Sequence, residues 1–221
     1  MVIESYRGTA DRYLERLARP WLRWTPAALS WLAFGLCVAA AVLAAAVRWT
    51  TPDLFLAVSA LILLGGLFDA LDGYVARRNG TMSVRGDVLD HVLDRYSDVA
   101  LLIGIAISGY ANPFLALLAL VSLLLVSYMG TQAQAVGQGR LYAGILSRSD
   151  RLVILAVATF LEFDWSLPWP WAPSAPWSHF VLGGVGFTVI DVALVWFIVA
   201  GQWTAYARAR SLYRSLPPSG S

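Results

Sequence analysis

The sequence predicts an all-α integral membrane protein, in which an amphipathic interfacial helix precedes six transmembrane helices. Of the 221 residues, 58% are hydrophobic and only 14% are charged, whereas a soluble domain carries about 25% charged residues. The mean hydropathy is +0.64, and the apolar residues form runs long enough to cross a hydrocarbon core of about 30 Å. In addition, the arginines are concentrated in alternate connections between these runs, which is typical of loops on two sides of a bilayer.

The amino-terminal segment, residues 1–24, is predicted to lie in the membrane interface. Its apolar and aromatic side chains recur at helical spacing among arginines and acids, which favours an interfacial helix. The first long apolar run, 26–47, follows it, with Thr25 as cap and Pro26 as the first helical residue. Its length of about 22 residues suffices for a retained span.

Five further spans are predicted, and each is an apolar run bounded by charged, Pro or Gly residues. They cover 52–77, 87–108, 113–136, 149–163 and 179–208. The six helices make one domain, residues 25–210, and a polar tail, residues 211–221, follows it.

The connections predict which ends of the helices face the cytoplasm. One set of connections is arginine-rich and holds Arg77, Arg78, Arg85, Arg140, Arg148 and Arg151. The other set holds only Arg48. Because basic loops stay on the cytoplasmic side, both termini and the arginine-rich connections are expected there.

Composition excludes two other kinds of protein. All sixteen basic side chains are arginine, and the formal net charge of +2 gives no case for a nucleic-acid partner. The single Cys37 has no partner for a disulfide, so we expect a small core residue there.

Two pairs of aspartates stand out in this apolar chain. Asp69 and Asp72 lie at the end of the second predicted helix, and Asp90 and Asp94 lie near the start of the third. Spacings of three and four residues put each pair on one face of its helix. Since both helices meet at a cytoplasmic turn, we expect the four carboxylates to face one another.

The acidic cluster predicts a divalent cation. A carboxylate at the centre of a membrane helix costs roughly 2.5 to 3.5 kcal/mol, and four close together also repel one another. Arg77 could neutralise one of them. Four carboxylates without histidine or cysteine partners favour a hard ion such as Mg²⁺ or Mn²⁺.

Small residues beside the acids indicate that a bulky ligand approaches the backbone. Gly73 and Ala76 lie on the second helix and Gly86 at the start of the third. With Arg77 and a divalent cation nearby, a diphosphate fits the chemistry. Close helix packing explains a single membrane glycine equally well.

The residues together match a known signature. Eight positions keep the spacing Asp69-x2-Asp72-Gly73-x2-Ala76-Arg77-x8-Gly86-x3-Asp90-x3-Asp94, which resembles that of the class I CDP-alcohol phosphotransferase family. The resemblance implies transfer of a phosphatidyl-type group from a CDP-activated lipid to an alcohol, with release of CMP. It also implies two metal ions, a homodimer through the third and fourth helices, and the following roles: metal binding by Asp69, Asp72, Asp90 and Asp94; proton removal by Asp94; and nucleotide contact by Asp69, Gly73, Ala76, Arg77 and Gly86.

Four other polar residues are not expected to take part in catalysis or metal binding. For Asp87 and Asp98, capping of the third helix or pairing with an arginine is favoured over catalysis. For Asp191, inside the last predicted span, a hydrogen bond between helices is favoured. His91 lacks a second histidine or cysteine nearby, so metal binding by it is not expected.

The acceptor is predicted to be a phosphorylated polyol, such as glycerol phosphate or inositol phosphate. Arg140, Arg148 and Arg151 could bind its phosphate, or could only anchor the topology. Gly130, Gln132 and Gln134 stand where phosphatidylinositol-phosphate synthases of the family carry charged residues, and this departure counts against inositol phosphate. An unphosphorylated acceptor such as serine stays open. The stretch SYMGTQAQAVG resembles archaeal members, which would make the donor CDP-archaeol rather than CDP-diacylglycerol.

Ion transport and nucleotide binding without catalysis are two other functions that could use the aspartates. A divalent-cation transporter would place acids near the midplane of the bilayer, often on broken helices, whereas these acids cluster at one end. A member that binds nucleotide without catalysis would be expected to have lost a signature aspartate, and none is missing.

Overall fold

The computed structural model describes residues 15–137, 145–166, 180–182 and 185–216. This part of the chain holds six long helices: α1 (Pro26–Ala46), α2 (Leu54–Arg78), α3 (Val84–Ile107), α4 (Pro113–Ala135), α5 (Arg148–Ser166) and α6 (Val189–Ser215). Two three-residue strands, β1 (Phe180–Leu182) and β2 (Val185–Phe187), pair antiparallel with Phe180 opposite Phe187. The helical character predicted from the sequence is therefore observed, and the small hairpin was not predicted.

Side-chain caps fix where several helices begin. The Thr25 hydroxyl accepts a hydrogen bond from the Ala28 amide (3.3 Å), and Pro26 is the first residue of α1, as predicted. The Ser83 hydroxyl accepts from the Gly86 amide (3.1 Å) at the start of α3. Because each cap satisfies an amide that has no partner in its own helix, these starts are well defined.

Four helical segments are long and apolar enough to cross a membrane among the described residues. They are 26–49, which includes the 3₁₀ turn after α1, together with α2, α4 and α6. The chain is therefore an integral membrane protein. Six spans were predicted; α3 and α5 form as helices but carry too many charged residues to qualify by composition.

The ends of the chain differ from the predicted boundaries. The last helix starts at Val189 instead of residue 179, because the β1–β2 hairpin takes up the preceding residues and Thr188 caps the helix. It continues to Ser215, into the predicted tail. Of the predicted interfacial helix, residues 15–18 are helical and Arg19–Trp21 form a 3₁₀ turn, while residues 1–14 lie outside the described part.

Helix α1 packs against α2 and α3 through very small side chains. A Cβ added to Gly104 of α3 would lie 2.2 Å from the Ala41 carbonyl oxygen of α1. A Cβ on Gly65 of α2 would lie 2.8 Å from the Cys37 sulfur, and Cys37 is fully buried, as expected of a core residue. These close approaches pack α1 tightly against α2 and α3.

At the opposite end of the bundle, polar groups tie α4, α5 and α6 together. The Glu162 carboxylate of α5 accepts from the Val189 amide (3.0 Å), and the Asp191 carboxylate accepts from the Asn112 amide (2.7 Å). The Thr188 hydroxyl donates to the backbone carbonyl before α4, at Tyr110 (2.7 Å). We call these three contacts the distal clasp. Asp191 thus makes the hydrogen bond between helices that the sequence favoured, at the start of α6.

Candidate active site

Three of the signature aspartates converge where α2 ends and α3 begins. Carboxylate oxygens of Asp69, Asp72 and Asp90 all lie within 4.8 Å of one another. The last turns of α2 and the first turns of α3 face each other across the 79–83 connection, so three of the four carboxylates expected to face one another converge, and Asp94 does not join them. Oxygen atoms at this spacing are suited to a single hard cation.

Asp72 is the most buried of the three and has a partner that the sequence did not reveal. The Ser30 hydroxyl of α1 donates to its carboxylate over 2.6 Å, and only 7% of Asp72 is exposed. This hydrogen bond fixes the Asp72 carboxylate within the group of three. No local pattern in the α1 sequence distinguishes Ser30 from a packing residue.

One cavity opens on the Asp72 and Asp90 side of the cluster, with a volume of about 540 Å³. We call it the signature cavity, because it is lined by most of the signature residues and by the start of α1. Its signature residues are Asp72, Gly73, Ala76, Arg77, Gly86 and Asp90. The space is thus bounded by three carboxylates, those of Asp72, Asp87 and Asp90, together with an exposed guanidinium and small side chains.

The two glycines of this cavity leave little space for a side chain. A Cβ on Gly73 would lie 3.3 Å from Arg77 Nη1, and a Cβ on Gly86 would lie 3.2 Å from the capping Ser83 hydroxyl. Both glycines therefore keep the backbone accessible and leave Arg77 and the α3 cap undisturbed. The sequence prediction of small residues beside the acids agrees with this geometry.

Asp94 stands apart from the three-aspartate group. Its carboxylate contacts the Arg148 guanidinium of α5, which also contacts Asp69. The Arg95 guanidinium lies 3.8 Å from the other Asp94 oxygen. Asp94 thus lies between the carboxylate cluster and a set of arginines.

A second cavity, of about 360 Å³, lies on the Asp94 side. We call it the arginine cavity, because four guanidinium side chains from three helices line it. Its charged and polar lining residues are His91, Asp94, Arg95, Ser127, Thr131, Gln134, Ser147, Arg148, Arg151 and Arg208. Such a concentration of guanidinium groups favours an anionic ligand.

Two of these arginines share one buried carboxylate. Asp98 Oδ2 accepts from Arg151 Nη1 (2.9 Å) and lies 3.1 Å from Arg95 Nη1. Asp98 is 4% exposed and Arg151 is 6% exposed. For Asp98, therefore, the arginine pairing favoured by the sequence is what the structure has.

The predicted acceptor residues are placed differently from one another. Arg148 and Arg151 both reach the arginine cavity, whereas Arg140 lies outside the described residues. Sequence reasoning missed Arg95 and Arg208, which line the same cavity. Arg208 donates to the Val126 carbonyl oxygen of α4 (2.8 Å), and its only signal in the sequence was its place in a basic terminal segment.

The remaining polar candidates are close to the site without joining the carboxylate group. Asp87 lies in the first turn of α3 and lines the signature cavity, but the cap of this helix is Ser83. His91 lines the arginine cavity and lies 3.8 Å from Asp90. It is not among the three residues whose ligand atoms converge.

The donor set is consistent with the divalent cation that the sequence predicted. Asp69, Asp72 and Asp90 supply only carboxylate oxygens, which are the ligands preferred by Mg²⁺ and Mn²⁺. Asp72 is held by Ser30, as ligating carboxylates usually are held by a neighbouring donor. The three residues therefore fit a hard cation.

Comparisons with known proteins all point to one family. The family model described as CDP-alcohol phosphatidyltransferase matches residues 23–199. The chain is 36% identical over 140 residues to the archaetidylinositol phosphate synthase of Methanothermobacter thermautotrophicus, covering 62% of this chain and 69% of the relative. It is 36% identical over 102 residues to the enzyme of that name from Pyrococcus horikoshii, covering 46% of this chain and 54% of the relative.

Solved structures extend the likeness to nearly the whole chain. The Mycobacterium tuberculosis phosphatidylinositol phosphate synthase with CDP-DAG bound superposes with a TM-score of 0.71 at 25% identity, covering 95% of this chain and 98% of that one. The same enzyme in complex with manganese and citrate also gives 0.71, covering 94% and 92%. With the curated relatives, by contrast, the matched stretch spans from about half to about two thirds of their length.

Proposed function

The chain belongs to the CDP-alcohol phosphatidyltransferase family, and from that premise we propose that it transfers the phosphatidyl-type group of a CDP-activated lipid to a phosphorylated alcohol. CMP is the second product. The observation that carries the proposal is the pair of cavities on either side of the aspartate cluster. One is bounded by the signature residues and the other by arginines, so that a donor and an anionic acceptor can meet at the carboxylates.

The signature cavity is assigned to the CDP-lipid. Gly73 and Gly86 leave the backbone accessible, and Arg77 can donate to the diphosphate from the cavity wall. Asp69, Asp72 and Asp90 would hold a divalent cation, Mg²⁺ or Mn²⁺. Family resemblance implies two such ions. A bound divalent cation neutralises charge on a diphosphate. One solved relative was obtained both with CDP-DAG and in complex with manganese and citrate, which supports this assignment.

Asp94 is assigned to the acceptor hydroxyl. It lines the arginine cavity and lies next to the carboxylate cluster through the shared Arg148. As a carboxylate it can take the proton from the acceptor hydroxyl while that oxygen forms a bond to phosphorus. The phosphorus–oxygen bond to CMP breaks in the same transfer, and the electron pair leaves with CMP.

The acceptor is assigned to phosphorylated alcohols, with inositol phosphate first and glycerol phosphate second. Four guanidinium groups line the space that it would occupy, and an uncharged acceptor such as serine would give them no phosphate to bind. The names of the relatives also point to inositol phosphate. The donor is assigned to CDP-diacylglycerol or CDP-archaeol, because relatives of both kinds are similar to this chain.

The assembly and topology that go with this function extend the sequence prediction. All six helices cross the membrane, because α3 and α5 can turn their charges toward the site and their apolar faces toward lipid. Both termini and the site are on the cytoplasmic side, where CDP-lipid and water-soluble acceptor meet. Two chains pair through α3 and α4, whose exposed apolar residues include Val88, Val92 and Leu117.

The test is a CMP-release assay with purified protein. CDP-diacylglycerol and CDP-archaeol are each combined with inositol phosphate, glycerol phosphate, inositol or serine, in the presence of Mn²⁺ or Mg²⁺. We expect CMP release with a phosphorylated acceptor and a lipid product that carries it. Release with serine or inositol alone would move the function to an uncharged acceptor, and no release with any pair would contradict the transferase.

A further inference from the structure

We propose that Asp98 is the positioning residue that orients two arginines of the arginine cavity toward the phosphate of the acceptor. The inference rests on the proposed function and names a residue outside the eight-position signature. Asp98 lies one helical turn after Asp94 on α3. It acts through Arg95 and Arg151 and does not touch substrate.

The first observation is that one carboxylate oxygen serves two guanidinium groups from different helices. Asp98 Oδ2 accepts from Arg151 Nη1 of α5 at 2.9 Å and lies 3.1 Å from Arg95 Nη1 of α3. Each guanidinium has five N–H donors in a rigid fork. Fixing one corner of the fork on Asp98 therefore limits the directions in which the other donors can point.

The second observation is the place of Asp98 relative to the cavity. Arg95 and Arg151 line it, whereas Asp98 lies behind this wall, beside Leu101, Leu102 and Leu155. The acceptor would thus contact the arginines and not the carboxylate. Asp98 can hold them without occupying a phosphate-binding position.

The third observation is that the carboxylate is buried. Only 4% of Asp98 is exposed, and a buried ion pair is often no more stabilising than apolar residues of the same volume. Packing alone therefore gives no reason for an acid among leucines. Orientation of two cavity arginines gives one.

The same contacts connect Asp98 to the assigned base. Arg95 reaches Asp98 with Nη1 and lies 3.8 Å from Asp94 with Nη2. An acceptor phosphate held by Arg95 and Arg151 would consequently be at a set position relative to Asp94. This arrangement favours acceptors in which a phosphate and the reacting hydroxyl have a fixed separation.

The test measures acceptor and donor kinetics separately in Asp98→Asn. We expect the KM for inositol phosphate, or for glycerol phosphate if that is the better acceptor, to rise about tenfold, since a hydrogen bond to a charged group is lost. The KM for CDP-lipid should stay within about twofold. Glu162→Gln is the matched control, because it removes another buried carboxylate at the opposite end of the bundle while keeping an oxygen that can accept from the Val189 amide, and it should change neither KM.

A pair of variants separates positioning from general charge. If Asp98 acts through Arg151, then Asp98→Asn should have little further effect on the acceptor KM in an Arg151→Lys background. An unchanged or lowered acceptor KM in Asp98→Asn would overturn the proposal, because charge removal alone makes the cavity more attractive to anions. Full additivity with Arg151→Lys would also overturn it. If Asp98→Asn does not fold, Arg151→Lys and Arg95→Lys give the same KM readout.

A binding experiment distinguishes failure of this inference from failure of the transferase. Inorganic phosphate should protect Arg95 and Arg151 from phenylglyoxal in the wild-type protein, as followed by peptide mass spectrometry, and should protect them less in Asp98→Asn. This readout does not need turnover. Wild-type protein that releases no CMP but shows this difference would contradict the transferase alone, whereas equal protection in both proteins would contradict the role of Asp98 alone.

Discussion

The two cavities beside the aspartate cluster are built in different ways. The signature cavity is lined by neighbours in sequence, from the end of α2 through the start of α3, together with the first residues of α1. The arginine cavity is lined by α3, α4, α5 and α6. Its charged groups are held by long-range contacts, such as those of Arg148 with Asp69 and of Arg151 with Asp98, 79 and 53 residues apart.

This difference separates the chemistry that a family shares from the choice of acceptor. The carboxylates, glycines and Arg77 of the signature come from two consecutive helices, both of which pack against α1. The arginine cavity changes whenever one of four helices shifts or changes a side chain. We therefore expect donor use and acceptor use to be separable by mutation.

The largest effect is expected from loss of a metal-ligand carboxylate. Asp72→Asn or Asp90→Asn should remove turnover with every acceptor, and excess chelator should do the same to the wild-type protein, because both cavities depend on the cluster between them. Mn²⁺ binding by electron paramagnetic resonance checks the cause. Normal turnover in excess chelator would show that activity does not depend on a divalent cation.

Asp94→Asn tests the boundary between the cavities. General-base catalysis contributes about 10²–10⁴-fold, so we expect kcat to fall in that range while CDP-lipid binding is retained. CMP release gives the first quantity, and protection of the protein from thermal unfolding by the CDP-lipid gives the second. Equal loss of CDP-lipid binding would place Asp94 with the signature cavity instead.

Arg148→Ala tests the arginine cavity. The KM for the phosphorylated acceptor should rise by about 10- to 100-fold, since a charge-assisted hydrogen bond is worth about 1.5 to 3 kcal/mol. The KM for CDP-lipid should change much less. Arg48→Ala is the control, because it removes an arginine from the predicted opposite side of the membrane. Unchanged acceptor kinetics would make Arg148 a topology anchor.

Ser30→Ala tests the support of the cluster from the signature side and should have the smallest effect. Loss of the hydrogen bond to Asp72 should raise the Mn²⁺ concentration for half-maximal activity by about tenfold, which is the low end for such supporting contacts. The acceptor KM at saturating Mn²⁺ should not move. A change in acceptor KM would show that the cavities are less independent than their walls indicate.

The sequence predicted the aspartate-bearing ends of α2 and α3 better than the arginine cavity, and the reason is physical. Asp69, Asp72, Asp90 and Asp94 are placed by helical periodicity within 26 residues of chain, and this spacing brings three of them together, whereas Asp94 contacts Arg148. Ser30, Arg95 and Arg208 are brought to the site by packing between distant helices, which no local pattern encodes. Arg148 and Arg151 were predicted as acceptor residues, but their ion pairs with Asp69, Asp94 and Asp98 join helices distant in sequence, and the sequence favoured only an unspecified arginine partner for Asp98.

The same reason accounts for the differences in fold. The starts of α1 and α4 follow from Thr25-Pro26 and Asn112-Pro113, where the capping residue and the proline are adjacent. The start of α6 is fixed by Thr188 and Asp191 in a capping box within an apolar run. Apolar composition alone extends such a run upstream, so the predicted span began too early.

The distal clasp limits which ends of α4, α5 and α6 can move apart. Glu162, Thr188 and Asp191 tie three helices at the end of the bundle away from the site, and the contacts of Asp191 and Thr188 also hold the connection before α4. We therefore expect relative motion of these helices to be smallest at the distal clasp and largest at the arginine cavity. We expect amide hydrogen exchange to be slowest around Val189 and Ile190 and faster toward Arg208 on the same helix. An anionic ligand can in this way enter and leave the arginine cavity while the far end of the helices stays closed.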